Sequence, residues 1–312
     1  MAILIDPPAW PAHGTLFSHL VSDSAYEELH VFARKLHMPR RAFDLDHYDV
    51  PASLYEQALA LGALPVKAKD LVHQLRDSGL RVRQIERETV TPVRRRQYLE
   101  AEWALLGDLV LPAGRADETW IGLGTELVAR WNEPHRHYHD ERHLEDVLLA
   151  LDQLAVRGER LFPATLLAAW FHDAVYEGRA GTDEQDSAQL AVTALSSFGL
   201  KPALVQSVGK FIVATTPGFS SEQDAVPLMH LLDADLAIFA ASSARYERYS
   251  AAVRLEYAHV SETEFTTGRA SILASYLSQT RIYRTSTAQQ LWEERARFNL
   301  QAEVALLTNS RA

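Results

Sequence analysis

From about Leu99 to the end of this 312-residue chain, apolar residues recur at helical spacing, with no β-rich stretch. Stripes run through residues 142–156, 164–175, 187–198, 202–215, 231–241, 244–257 and 269–277, punctuated by Gly199, Pro217-Gly218 and Gly268. Such a pattern buries its apolar surface by packing helix on helix, so an all-α domain is expected here. The first 80 residues have a different rhythm. Short apolar runs at 2–5, 42–45 and 64–66 alternate with helical stretches at 24–36, 53–61 and 69–78. The first helix is opened by a Ser22/Ser24 cap, and the others are stopped by Gly62 and Gly79. Strands separated by helices predict a small parallel α/β layer, because parallel neighbours need crossover connections. The expected organisation is a mixed, two-domain chain: a small α/β domain over residues 1–85, a charged linker over 86–98 and an all-α domain over 99–312.

Composition narrows the function classes. Hydrophobic residues make up 47% of the chain, ample for two packed cores. No stretch approaches the roughly 18 uninterrupted apolar residues of a membrane span. The N-terminus lacks a basic segment and runs straight into Asp6-Pro7-Pro8, so neither a signal peptide nor a membrane partner is expected. There is no cysteine, which excludes disulfides, thiolate catalysis and sulfur-ligated metals and fits a cytoplasmic setting. Any metal must therefore sit on His, Asp and Glu. A net charge of −10 disfavours duplex nucleic acid as partner, and the basic run Arg94-Arg95-Arg96 reads as part of a solvated connection. The pattern leaves homo-oligomerisation open.

The chemistry is carried by polar groups set in apolar helices. Phe171-His172-Asp173 ends the run Leu166-Leu167-Ala168-Ala169-Trp170, His143 lies beside Leu144, Val147, Leu148 and Leu151, and Leu231-Leu232-Asp233-Ala234-Asp235-Leu236 embeds two carboxylates. Burying such groups is costly unless each is satisfied. Convergence on one divalent ion satisfies all three helices at once, whereas separate networks would each need partners of their own.

This arrangement, one His, then an adjacent His-Asp pair, then a distant Asp, resembles the HD superfamily of metal-dependent phosphohydrolases. More narrowly it resembles an uncharacterised bacterial subfamily, through Tyr138-His139-x-x-x-His143, Phe171-His172-Asp173-Ala174-Val175-Tyr176, Leu232-Asp233-Ala234-Asp235-Leu236, Arg254-x-Glu256-Tyr257, Gly268-Arg269 and Arg281-Ile282-Tyr283, over roughly residues 125–300. The resemblance implies His143, His172 and Asp173 as metal ligands, with Asp235 as the fourth and Asp233 as its alternative or as a group holding a water or ligand. It aligns Glu184 with a family glutamate and makes His139 a phosphate-facing residue, or else an exposed turn histidine. The subfamily often carries a His shortly after the position of Thr215, where this chain runs Thr216-Pro217-Gly218-Phe219; that departure favours one ion, Mn²⁺, Mg²⁺ or Fe²⁺, while His230 and Asp224 stay open as extra ligands. Asp173 and Glu184 are then the candidate catalytic carboxylates. Arg254, Arg269 and Arg281 are candidate phosphate-binding groups, because a guanidinium grips phosphate in bidentate fashion. The expected activity is hydrolysis of a phosphoester or phosphoanhydride in a small, nucleotide-like substrate. A nucleotide-binding sensory module, or an N-terminal catalyst with a regulatory helical domain, are the alternatives.

The first 80 residues resemble a small bacterial domain of unknown function, through Asp6-Pro7-Pro8-x-Trp10-Pro11-x-His13-Gly14, residues 18–23 and Phe43-Asp44-Leu45-Asp46-His47-Tyr48-Asp49. Asp6, Asp44 and Asp46 fall at the ends of expected strands, with His13, His19 and His47 in adjoining loops. That is either a second metal or phosphate site or a set of aspartates acting as turn formers and helix caps.

Overall fold

The computed structural model describes residues 2–12, 14–112, 116–179, 181–218 and 225–309. The chain divides into two units, residues 1–97 with 155–158 and residues 98–154 with 159–312. The first is a small α/β region; the second holds helices and no strand among its described residues.

The N-terminal sheet consists of β1 (Ile3–Ile5), β2 (Trp10–Ala12), β3 (Thr15–Ser22), β4 (Tyr48–Pro51) and β5 (Leu64–Pro65). β3 pairs antiparallel with β1, β2 and β4, and only β1 and β5 run parallel. The sheet is therefore mostly antiparallel, unlike the parallel layer expected. The expected strand at 42–45 is absent. A 3-10 turn at Arg40–Ala42 leads instead into a reversal at Leu45 (φ 63°), with a single bridge from Phe43 to Tyr48. Asp44 and Asp46 flank that reversal, and turn-forming aspartates leave the short apolar run no length for a strand. The β2–β3 hairpin has no counterpart among the expected elements. Pro11 is tolerated there because β2 lies at the sheet edge.

Three helices cover this sheet: α1 (Tyr26–Lys35), α2 (Tyr55–Ala60) and α3 (Ala68–Asp77). Leu20 joins Ile5, Tyr48 and Val50 with Leu29, Phe32 and Ala33 of α1 and Ala58 of α2. Its neighbour Val21 goes to the other layer, with Leu4, Leu71 and Leu75. The two-residue period of a strand makes that division.

Residues 87–97, expected as linker, are the first turns of α4 (Arg87–Val110); the segment looks aperiodic because its buried stripe starts only at Tyr98 and Leu99. There follow α5 (Glu118–Arg130), α6 (Glu141–Val156), α7 (Pro163–Phe171), α8 (Thr182–Ser197), α9 (Pro202–Val213), α10 (Val226–Asp235), α11 (Ser243–Glu256), α12 (Glu262–Ser278) and α13 (Ser286–Asn309). α7 is the apolar centre. Its Leu167, Ala168, Ala169, Trp170 and Phe171 are buried, and α8, α9 and α10 pack on it. Burying a Leu or Phe contributes roughly 1.5–3 kcal/mol, so this short helix is held by packing rather than by propensity. Trp103 and Trp120 stack with centroids 4.3 Å apart, and each indole N–H donates to the other's carbonyl. Gly124 permits the stack, because a Cβ there would lie 2.2 Å from Trp103.

α13 was not expected. Its stripe Trp292, Ala296, Leu300 is interrupted by buried Glu293, Asn299 and Glu303. Each of these has partners: Glu293 accepts from the Ile282 and Tyr283 amides, Asn299 donates to the Phe239 and Ala241 carbonyls, and Glu303 binds Tyr246, Ser250 and Arg269. No single helix among the described residues is long and apolar enough to cross a membrane.

Candidate metal centre

His143 lies in the first turn of α6, on the face that carries Leu144, Val147 and Leu151 inward, and it is itself buried. The second pair does not sit within a helix as the 164–175 stripe implied. α7 stops at Phe171, and His172 and Asp173 form the turn that follows. Two residues hold that turn. Arg136, buried, donates to the carbonyls of Asp173 and Ala174, while the Ser187 hydroxyl accepts from the Val175 amide and donates to its carbonyl. Asp235 is the last residue of α10.

These three elements bring four donors together. The Nε2 atoms of His143 and His172 are 3.1 Å apart, and Asp235 Oδ1 lies 3.1 Å from the first and 3.4 Å from the second. Asp173 Oδ2 is 3.7 Å from His143 Nε2 and 3.3 Å from His172 Nε2. Donors about 2.1 Å from one ion and at right angles lie about 3 Å from each other, so this spacing fits a single divalent ion. The tautomer fits as well. His172 Nδ1–H donates to the Ala169 carbonyl at 2.9 Å, which leaves the Nε2 lone pair facing the cluster. Trp131 backs both rings, with centroids 6.0 and 5.3 Å from His143 and His172.

Electrostatics agree with the geometry. Burial works against protonating His172, yet the Asp173 and Asp235 carboxylates outweigh it and lift its pKa to about 9. Burial alone would raise the Asp235 carboxyl, but hydrogen bonds from His143 and His172 hold it well below the usual carboxylate range. The surroundings thus favour positive charge at this point, which a divalent cation satisfies as a proton does.

Asp233 is turned elsewhere. Its Oδ1 accepts from the Arg284 amide at 2.7 Å, and its Oδ2 from the Thr285 amide and hydroxyl at 2.8 and 2.7 Å, just before α13 begins. The expectation that Asp233 serves as ligand or water holder gives way to an anchoring role. Residues two apart on a helix point about 200° apart, so only one of this pair faces the cluster. Asp233→Asn is expected to lower the melting temperature while leaving metal uptake in place, and Asp235→Asn to do the reverse; metal titration and thermal melts on both variants check this.

His139 is held by Glu256. The Glu256 Oε1 accepts the amides of His137, Tyr138 and His139, and its Oε2 accepts His139 Nδ1–H at 2.7 Å and the Tyr176 hydroxyl at 3.1 Å. Burial opposes protonation of His139, but Glu256 and Asp173 raise its pKa above the ordinary value. Glu256 is itself lowered to about 2, because hydrogen bonds from His139 and the loop amides outweigh the cost of burial. Glu184 sits in the first turn of α8, where it accepts the Gly181 amide at 2.5 Å, and burial raises its pKa.

A cavity of about 390 Å³ opens on the cluster. Its lining includes the polar His139, His143, Asp173, Glu184, Asp235 and Arg269 and the apolar or aromatic Tyr138, Phe239, Tyr249, Val253, Phe265, Ile272 and Tyr276. Of the three arginines expected to bind phosphate, only Arg269 reaches this cavity, and its guanidinium is paired with Glu303 and stacked on Tyr249. Arg254 is spent on the loop after α11, donating to the Tyr257 and Val260 carbonyls and to Glu262. Arg281 is exposed and is not part of the cavity lining. Arg179, tied to Asp183, is the other arginine in the described lining. His230 is buried against Glu159, away from the cluster, and Asp224 lies outside the described residues. The reading of single residues missed Glu256, Tyr176 and Arg136; the first two stand inside quoted motifs whose other members drew the attention.

The model of a family described as a protein of unknown function (DUF4031) matches residues 3–78. No curated protein and no solved structure matches the chain.

Proposed function

We propose that the helical unit is a metal-dependent phosphohydrolase of the HD type, acting on a small, nucleotide-like phosphoester or phosphoanhydride. The observation that carries this reading is the meeting of His143 and His172, whose Nε2 atoms are 3.1 Å apart, with Asp173 and Asp235, each of which places a carboxylate oxygen 3.1–3.7 Å from both nitrogens. A divalent ion held there supplies Lewis-acid polarisation of a phosphoryl oxygen and an acidified water. The chain's own residues do the rest. His139, with Nδ1 fixed on Glu256, has Nε2 left to donate to a phosphoryl oxygen, and its raised pKa keeps that donor protonated further up the pH scale. Glu184, with its pKa raised by burial, is the group in the lining suited to take up a proton. The aromatic lining suits a flat base or another apolar body. Both lining arginines are already paired with carboxylates, which favours a substrate with one phosphoryl group over a polyphosphate.

A panel of nucleoside mono-, di- and triphosphates assayed for phosphate release with Mn²⁺ tests this. Metal-dependent release, greatest from monophosphates, is the expected result. Tight nucleotide binding with no release from any member would make the domain a binding module instead.

A further inference from the structure

The N-terminal unit contains a second gathering of metal-type donors, in which His19, His47 and Asp49 each offer one ligand atom and these atoms lie within 4.8 Å of one another. Three features distinguish it from a chance surface cluster. First, β-sheet register makes it: His19 of β3 and Asp49 of β4 are direct cross-strand partners, and His47 immediately precedes β4. Second, each imidazole is held by its own buried carboxylate. His19 Nδ1 meets Asp6 Oδ2 at 2.9 Å and His47 Nδ1 meets Asp46 Oδ1 at 2.6 Å, with Asp6 and Asp46 almost wholly buried. Both carboxylates are fixed in turn: Asp6 Oδ1 accepts the His19 amide, and Asp46 Oδ2 accepts the Val82 amide and Arg81. A carboxylate on Nδ1 fixes the tautomer, leaves Nε2 as the donor atom and raises its basicity, which is the usual support for a histidine that binds metal. Third, the two rings meet edge to face with centroids 5.0 Å apart, and His47 Nε2 lies 3.5 Å from Asp49 Oδ1. Asp44 takes no part, being paired with Arg87, and His13 lies outside the described residues.

We propose that His19, His47 and Asp49 form a divalent transition-metal site in the N-terminal unit, with Asp6 and Asp46 orienting the two imidazoles. Two nitrogens and one carboxylate oxygen suit Zn²⁺, Co²⁺ or Fe²⁺ better than Ca²⁺ or Mg²⁺. Three protein donors leave positions for water or a further ligand. Asp49 is half exposed, so the ion is reachable from solvent.

The test is a Zn²⁺ titration of the full chain, alone and with His172→Ala, His19→Ala and Asp49→Asn. Wild type is expected to bind two equivalents and His172→Ala one. Adding His19→Ala to His172→Ala is expected to remove the second equivalent. Asp49→Asn, at a half-exposed position that asks little of the fold, is expected to weaken that equivalent at least tenfold with no change in the metal-free melting temperature. If wild type binds one equivalent that His172→Ala abolishes, or if His19→Ala and Asp49→Asn leave stoichiometry and affinity as they were, the N-terminal proposal falls and the helical centre stands. If wild type binds only one equivalent, which His172→Ala leaves intact and His19→Ala removes, the helical centre falls and this site stands.

Discussion

Replacing His172 with alanine is expected to remove the metal from the helical unit and to take phosphate release down to background. The ring is about 1% exposed, and its Nε2 lies within 3.4 Å of three other donors, so alanine leaves no side-chain donor at a central position of the cluster. Losing an outer-sphere partner of a metal ligand costs roughly 10–100-fold in affinity, and losing the ligand itself costs more. The same change perturbs the metal-free protein, because Asp235 then keeps only His143 as a partner. Breaking a buried pair costs about 3–5 kcal/mol. Asp173→Ala is the control for that effect. Its side chain is 16% exposed, so the fold is expected to survive while metal and activity are still lost. If folded His172→Ala and Asp173→Ala proteins retained both metal and turnover, the ligand assignment would be wrong.

The second large effect is expected at Glu256. Its carboxylate, only 2% exposed, gathers three backbone amides, one imidazole and one phenol. Glu256→Ala leaves those donors without their acceptor, and each unsatisfied buried group costs about 1–3 kcal/mol, less when several relax together. A loss of about 3–5 kcal/mol follows, or roughly 10 °C in melting temperature for a domain of this size. The pH dependence separates charge from shape. Because the folded pKa is lowered to about 2 from 4.5, Glu256 contributes stability that is fully present above about pH 4.5 and is lost as pH falls through 2. Glu256→Gln retains an acceptor for the amides, so it should lose less at pH 7 and show a shallower decline between pH 4.5 and 2. Urea unfolding across that range measures it, and parallel acid profiles for wild type and Glu256→Gln would rule out this role.

The parts legible in the sequence were those where one residue contradicts its surroundings. His143 and His172 stand out because imidazoles in apolar runs need a reason to be there, and the structure does bring them within reach of Asp173 and Asp235. Whether Asp233 or Asp235 faces the cluster was not legible, since both share one apolar run and differ only in angle around the helix. The arginines were less legible still. Arg254, Arg269 and Arg281 look alike beside their stripes, and only tertiary contacts separate an arginine that braces a loop from one that reaches a cavity. α13 was hidden by Glu293, Asn299 and Glu303, and the buried partners of the last two lie far away in sequence. In the N-terminal unit, the antiparallel pairing of β3 and β4 that sets His19 opposite Asp49 was not legible, because the apolar run at 42–45 reads as the strand and Tyr48–Pro51 does not.

Anomalous diffraction from crystals of the full chain grown with Mn²⁺ tests the central claim most directly. The account predicts a peak in the helical unit about 2.1 Å from His143 Nε2, His172 Nε2 and carboxylate oxygens of Asp173 and Asp235. A peak bound to Asp233 instead, or no peak among these four side chains, would contradict it.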